Sequence, residues 1–337
     1  MKLKEKLQIY IITYNRKEKF KRTLDFIFAD SSPIKDLDIT ILDNASTDGT
    51  SELIEDYRQK HPNITHIKHP INIGGNPNIC RAFEMGASCN KEYFWVLCDD
   101  DYFDFSNWYE VEEQIEKGTD IICLSNYVFE KPEQFDDKAY QLYQLTFVPA
   151  GIYKSSLITN NVLMNMYDSI YTMFQQICPV ADCINQKGSI YVLKKQVMIN
   201  GIFVDTVTTE EVSLIRGQDE RNILERRKDT SWILGWSNII SLLKDRQLIN
   251  HCMEIIPFSD KVGYGSMHKF VNHLFLLKYL KINKIHYIFE LLSKFGFKLR
   301  LEIFLRILSL YIIRYWKTES GTYVCLFNIL KMKVLPF

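Results

Sequence analysis

Short apolar runs recur through the first 125 positions of the chain, and each ends abruptly in a polar cluster. Residues 7–12, 37–42, 64–69 and 93–97 lack the in–out alternation of a half-exposed strand, which predicts strands covered on both faces. Between them, residues 17–28, 51–58 and 76–88 carry apolar side chains at helical spacing. Strand alternating with helix predicts an α/β fold built on a parallel sheet. Ligands of such sheets sit beyond the carboxyl ends of the strands. Thr13-Tyr14-Asn15-Arg16, Asp43-Asn44 and Asp99-Asp100-Asp101 end three of the runs, so these polar residues gather along one edge.

Further on, residues 105–117 predict a helix and 120–124 another buried strand. The Tyr-, Phe- and Gln-rich stretch 127–148 alternates in parts and predicts an antiparallel extension, closed by a break at Pro149-Ala150-Gly151. Helical spacing returns over 157–174 and 178–185, a strand is predicted at 190–193, and 209–245 reads as mostly helical. Gly263-Tyr264-Gly265 marks a linker, after which the pattern predicts helices, including an amphipathic one over 299–317. The implied organisation is a domain over 1–260, with halves 1–125 and 126–260, followed by a helical region over 261–337.

The composition, 47% hydrophobic and 24% charged, is that of a globular protein. A net charge of zero gives no reason to expect a nucleic-acid partner. The zero conceals an asymmetry: from Lys261 onward thirteen basic residues stand against three acidic ones, leaving −10 on residues 1–260. A basic amphipathic helix with aromatic residues either lies on an anionic membrane surface or packs on the catalytic domain or on a second copy of the chain. The eight cysteines are scattered without a CxxC pair, which suits small buried hydrophobes in a reducing compartment and argues against zinc. Neither a signal peptide nor a run of ~18 apolar residues is evident, so the expected location is cytoplasmic, either free or peripheral on the inner face of the cytoplasmic membrane.

The acidic triplet has two readings. It is a solvated turn, or it is a site where a hard divalent cation, Mg²⁺ or Mn²⁺, relieves the repulsion among three carboxylates. Gly74-Gly75, opening a helix that carries Arg81, either forms an ordinary turn or presents backbone N–H groups to phosphate oxygens. Asp43 suits either a nucleobase N–H or a helix cap, and Tyr14 either stacks on a base or is an ordinary half-buried tyrosine. Neither GxGxxG nor GxxxxGK[ST] is present, which disfavours a dinucleotide fingerprint or a P-loop.

Taken in order, Ile11-Ile12-Thr13-Tyr14-Asn15-Arg16, Ile41-Leu42-Asp43-Asn44 through Thr50, Asn72-Ile73-Gly74-Gly75-Asn76 and Leu97-Cys98-Asp99-Asp100-Asp101 resemble the motifs of family 2 glycosyltransferases with the GT-A fold, most of all the bacterial abequosyltransferase-like group that assembles O-antigen or capsule saccharides. The resemblance covers roughly the first hundred residues. It implies a Rossmann-like mixed sheet flanked by helices, here with a helical C-terminal extension. It also implies a nucleotide-diphosphate-sugar donor (a UDP-sugar foremost), a divalent metal and an inverting transfer to a saccharide or lipid-linked acceptor. On the same ground Thr13, Tyr14, Asn15, Arg16, Asp43, Asn72, Gly74, Gly75, Arg81, Asp99 and Asp100 are expected to bind the donor, and Asp99 and Asp101 the metal. The family's base lies at the start of a later helix. No clear Glu-Asp pair occupies that place, which leaves Asp182 first and Asp168 second, each with an ordinary exposed helix carboxylate as its rival reading. The competing functional classes are a catalytically silent saccharide- or partner-binding domain and a sugar-phosphate nucleotidyltransferase. The latter needs a glycine-rich loop that Thr13–Arg16 does not supply.

Overall fold

A computed structural model describes residues 3–125, 129–199, 235–236, 238–255, 297, 301, 313–318, 321–326 and 330–334. The chain divides into two compact units, Met1–Lys244 and Asp245–Phe337.

In the first unit the elements run α1 (Leu3–Lys6), β1 (Leu7–Thr13), α2 (Lys17–Ile27), β2 (Asp38–Asp43), α3 (Thr50–Lys60), β3 (Ile64–Lys68), α4 (Gly75–Ser88) and β4 (Tyr93–Leu97). They continue with β5 (Tyr102–Phe103), α5 (Trp108–Glu116), β6 (Ile121–Cys123), α6 (Lys138–Gln144), β7 (Gly151–Lys154), α7 (Asn160–Asp168), α8 (Cys178–Asn185), β8 (Ile190–Val192) and β9 (Met198–Ile199). Seven strands form one sheet in the order β3-β2-β1-β4-β7-β6-β8. Strands β3, β2, β1 and β4 pair in parallel. β7 is antiparallel to both β4 and β6, and β6 and β8 are parallel, so β7 alone is reversed in a mixed sheet. β5 and β9 make a separate antiparallel pair just after the acidic triplet.

The strand order accounts for the sequence pattern. β4 lies between β1 and β7, and all five of its residues are fully buried, which is why it shows no alternation. One face of the sheet meets α2 and α5 through Phe20, Leu24, Trp95, Trp108 and Val111. Trp95 donates its indole N–H to Pro149 O at 2.8 Å. On the other face Phe94 packs edge-on against Phe83 of α4 and is stacked with Tyr153 of β7. β2 and β3 lie on one side of β1 and β4 on the other, so the connections leaving β1 and β4 open a crevice at their carboxyl ends.

Three element expectations are corrected. The antiparallel extension over 127–148 is instead a 3₁₀ turn (Pro132–Asp136) and helix α6, which the Asp137 carboxylate caps by accepting from Ala139 N at 2.8 Å; the antiparallel strand is β7. The helix over 157–174 is interrupted after Asp168: a 3₁₀ turn spans Ile170–Thr172, and Met173 adopts a left-handed φ of 64° that a helix does not tolerate. In the second unit, α9 (Arg246–Ile255) is helical, but β10 (Ile313–Thr318), β11 (Gly321–Leu326) and β12 (Leu330–Val334) form an antiparallel meander. The helical expectation therefore fails at 313–318, 321–326 and 330–334. Ile, Tyr, Trp, Thr and Val dominate these stretches, and Leu330–Val334 alternates with period two, both of which favour strands once neighbours are there to pair. The rest of 256–312, apart from Phe297 and Leu301, lies outside the described residues, as does 200–234 of the stretch read as helical.

Candidate functional site

An open cleft of about 320 Å³ sits at the carboxyl ends of β1 and β4. Ile12, Thr13, Tyr14 and Arg16 line it from β1, Asn44 from β2, Asn72, Gly74, Gly75 and Asn78 from the turn into α4, and Cys98, Asp99 and Asp100 from β4.

The acidic triplet is held from two elements. Thr13 Oγ1 donates to Asp99 Oδ2 at 2.7 Å across the β1–β4 pair. From α2, Thr23 Oγ1 donates to the Asp99 carbonyl and Arg22 Nη2 to the Asp100 carbonyl, each at 3.0 Å, while the Arg22 guanidinium lies over the Tyr102 ring. Arg16 forms an ion pair with the Asp100 carboxylate. Burial pushes the Asp99 carboxyl up to about 6 and Asp100 adds to this, against the opposing pull of Arg16 and the Thr13 hydrogen bond. Burial, reinforced by the three carboxylates, also drives the Cys98 thiol far above its ordinary value. Asp101 is buried and does not line the cleft.

The opposite wall is built from amides. Asn44 donates to Asn72 Oδ1 (2.8 Å) and to the Gly74 carbonyl (3.2 Å), and accepts from Ile73 N at 2.9 Å. Asn72 Oδ1 also takes Gly74 N at 2.8 Å. Gly74, at φ 91° and ψ 160°, occupies backbone space open essentially to glycine alone. It lets the chain turn sharply into α4, whose first turn has no side-chain cap. The N–H groups of Gly75 and Asn76 thus begin a helix at the cleft, where its dipole favours an anion. Asn78 is fixed behind them by Leu42 O and His69 Nε2.

The structure places the remaining expected residues differently. Asn15, with a positive φ of 49°, ties β1 to the β2–α3 loop through Ser46 and Thr47 and is not among the lining residues. Asp43 is 0% exposed and faces away from the cleft lining. It accepts from Ser46 N at 2.8 Å and from the Ser51 hydroxyl, with His66 Nε2 at 3.5 Å. Burial opposes its charge, but these hydrogen bonds outweigh burial and hold the carboxyl well below the usual carboxylate range. Arg81 is exposed on α4 and paired with Glu84 at 2.8 Å, and the guanidinium that pairs with a triplet carboxylate is that of Arg16. Asp182 does not begin a helix: it is the fifth residue of α8, hydrogen-bonded by Gln186 at 2.6 Å. Asp168 is exposed at the end of α7, and neither carboxylate lines the cleft. The residues that lead into α8 are Gln175 and Gln176, both buried. Gln176 donates to Thr146 O at 2.7 Å, whereas the Gln175 amide oxygen and nitrogen have no hydrogen-bond partner among the described residues.

Sequence reasoning missed Asn78, Ile12 and Cys98 as lining residues and Arg22 as an anchor of the triplet. Asn44 was legible as the neighbour of Asp43 at a strand end. For Asn78 and Arg22 the sequence offers only a polar residue on a helix.

The lining suits a divalent cation: the Asp99 and Asp100 carboxylates supply hard oxygens, and the upward push on Asp99 is what a bound cation would reverse. Among the described residues no group of three or more His, Cys, Asp and Glu side chains is placed to hold a metal ion by itself.

The profile of glycosyl transferase family 2 matches residues 8–183, just over half of the chain. The abequosyltransferase of Salmonella typhimurium is 35% identical over 92 residues, 27% of this chain and 27% of that protein. The poly(ribitol-phosphate) beta-glucosyltransferase of Bacillus spizizenii is 24% identical over 167 residues, 46% of this chain and 26% of that one. The matched region thus spans about a quarter of the length of either relative. Among solved structures, residues 1–349 of S. aureus TarS in complex with UDP superpose with a TM-score of 0.52 at 15% identity, covering 95% of this chain and 96% of that one. The same protein with UDP-GlcNAc gives 0.51 at 16%, covering 98% and 100%. At that identity the likeness concerns the fold.

Proposed function

The chain belongs to glycosyl transferase family 2, with the GT-A fold, and on that premise we propose that it moves a sugar from a nucleoside-diphosphate donor to a saccharide or lipid-linked saccharide acceptor during bacterial surface-polysaccharide assembly, with inversion at the anomeric carbon. One observation carries this reading. Thr13, Arg16, Asp99 and Asp100 meet the uncapped start of α4 in a single cleft at the switch point of the sheet.

In this cleft the α4 N–H groups and Arg16 would neutralise diphosphate oxygens, while Tyr14 and the Asn44 wall would border the nucleoside. A UDP-sugar is the first donor to test, because the TarS structures hold UDP and UDP-GlcNAc. Asp99, which lines the cleft, would hold Mn²⁺ or Mg²⁺ there, whereas Asp101, expected as the second ligand, is not in the lining; when bound, the ion supplies charge neutralisation for the departing diphosphate. Thr13 and the α2 contacts keep the triplet in register for that role. In transfer, the acceptor oxygen bonds to the anomeric carbon from the side opposite the diphosphate, the bond to the diphosphate breaks, and the acceptor proton passes to a base.

A second reading, a catalytically silent saccharide-binding domain, is favoured by the glutamines at the start of α8, since an amide does not accept the acceptor's proton. One experiment separates the two: release of nucleoside diphosphate from a panel of nucleotide sugars with Mn²⁺. Release that is lost in Asp99→Ala supports the transferase. Binding of UDP by calorimetry without turnover of any donor supports the silent domain, and failure to bind any nucleoside diphosphate, with or without metal, overturns the transferase.

A further inference from the structure

The loop from Asn44 to Ser51 is the part of the cleft frame whose shape depends on a charge. Asn44 at its start lines the cleft and fixes the 72–74 turn through three hydrogen bonds. Ser46 Oγ in its middle accepts from Asn15 N at 3.0 Å, linking the loop to β1. The middle and end of the loop are tied to the buried Asp43 carboxylate, which takes Ser46 N and the Ser51 hydroxyl.

Behind Asp43 stands His66 of β3, whose side chain is nearly buried. Its Nδ1 lies 2.8 Å from Glu55 Oε1 on α3, at hydrogen-bond distance, and its Nε2, which makes no hydrogen bond among the described residues, lies 3.5 Å from Asp43 Oδ2, within ion-pair reach. A neutral imidazole has one N–H and serves one of these carboxylates; only the imidazolium carries a proton on both nitrogens and attracts both. The other charges facing this chain of contacts are few. Arg58 pairs with Glu55 at 3.0 Å, and Lys68 donates to Ser46 O (2.9 Å) and Ser51 Oγ (2.8 Å).

We propose that His66 is a positioning residue: its imidazolium bridges Asp43 and Glu55, clamps the 44–51 loop against the cleft, and so makes nucleoside-diphosphate binding weaken as pH rises. The inference rests on the donor reading of the cleft and specifies how that site is regulated. Burial favours the neutral ring, but the two carboxylates outweigh it and raise His66 above the ordinary histidine value of 6.5. A group raised in this way contributes its stabilisation in full below its unfolded value and loses it as pH climbs through the folded one. The clamp therefore holds fully below the ordinary histidine value and relaxes at a pH above it. His66 touches no atom of the cleft itself, so its effect runs through Asp43 and the loop.

The test is calorimetric titration of UDP with Mn²⁺ into wild type, His66→Gln and Glu55→Gln from about pH 6 to about pH 9. Ratios between variants at one pH cancel the titration of UDP itself. Wild type should bind about fivefold more tightly than His66→Gln at the acid end, with the ratio falling toward one at the alkaline end. Glu55→Gln, a surface substitution that leaves the fold intact, should move that fall to lower pH by removing one of the two carboxylates. A wild-type to His66→Gln ratio that stays constant across the range, or a Glu55→Gln profile that superimposes on wild type, overturns the proposal. Absence of UDP binding by wild type at every pH overturns the donor reading itself, and the two failures are thereby distinguished.

Discussion

At the scale of single residues, two adjacent glycines illustrate how differently neighbouring positions serve one cleft. Gly74 needs its φ of 91° with extended ψ, and a side chain there would add strain of about 1–3 kcal/mol. A Cβ on Gly75 would meet no atom within 4 Å. Gly74→Ala should therefore lower the melting temperature and weaken UDP binding together. Gly75→Ala should melt like wild type yet bind UDP less well, because its methyl group intrudes on the cleft that Gly75 lines. Paired thermal unfolding and UDP titration check both; unchanged stability in Gly74→Ala would contradict the assignment. The two glycines were legible in the sequence as a turn that opens a helix. Which of them carries the constraint was not, because φ is fixed by the contacts of Asn44 and Asn72, 30 and two residues away from Gly74.

Between elements, the decisive contact is that of α4 with β4. Gly86 allows the helix to lie directly on Phe94: a Cβ there would fall 2.5 Å from the ring. Phe94 cannot retreat, since Phe83 and Tyr153 enclose it at ring-centre distances of 5.3 and 5.8 Å. Gly86→Ala should cost about 1–3 kcal/mol by overpacking, read from denaturant unfolding. Because α4 begins at the cleft, the same substitution should also weaken UDP binding although Gly86 sits near the opposite end of the helix. Reading elements from the sequence succeeded where burial on both faces removes alternation, as in β1, β2 and β4. It failed in 132–144, after Asp168 in the stretch 157–174, and in the three strands of the meander. There local spacing admits more than one element, and the choice falls to the Asp137 cap, the left-handed turn at Met173 and pairing within the meander.

For the whole molecule, the charge split is the feature with consequences beyond the cleft. Residues from Lys261 on carry +10 against −10 on the remainder, and no helix among the described residues is long and apolar enough to cross a membrane. Attraction of the basic segment to an anionic surface is screened over about 10 Å at 0.1 M salt. The full chain should therefore co-sediment with vesicles containing phosphatidylglycerol at low ionic strength, be released as salt is raised, and ignore vesicles of phosphatidylcholine. Equal recovery with both lipids would assign the basic residues to solvent or to protein contacts instead.

By itself the sequence determined the α/β order, the gathering of polar residues at one edge of the sheet, and the acidic triplet as the centre of that edge. These follow from periodicity and strand ends, which are local properties of the chain. Only the tertiary structure decided which polar residues face the cleft. Asn44 faces it, while its neighbour Asp43 turns inward to Ser46, Ser51 and His66; Arg81 points to solvent while Arg16 meets Asp100; and buried glutamines lead into α8 where a carboxylate was sought. The reason is separation along the chain. Thr13 and Asp99 lie 86 positions apart and His66 and Asp43 are on different strands, so their pairing exists only once β1, β2, β3 and β4 stand side by side.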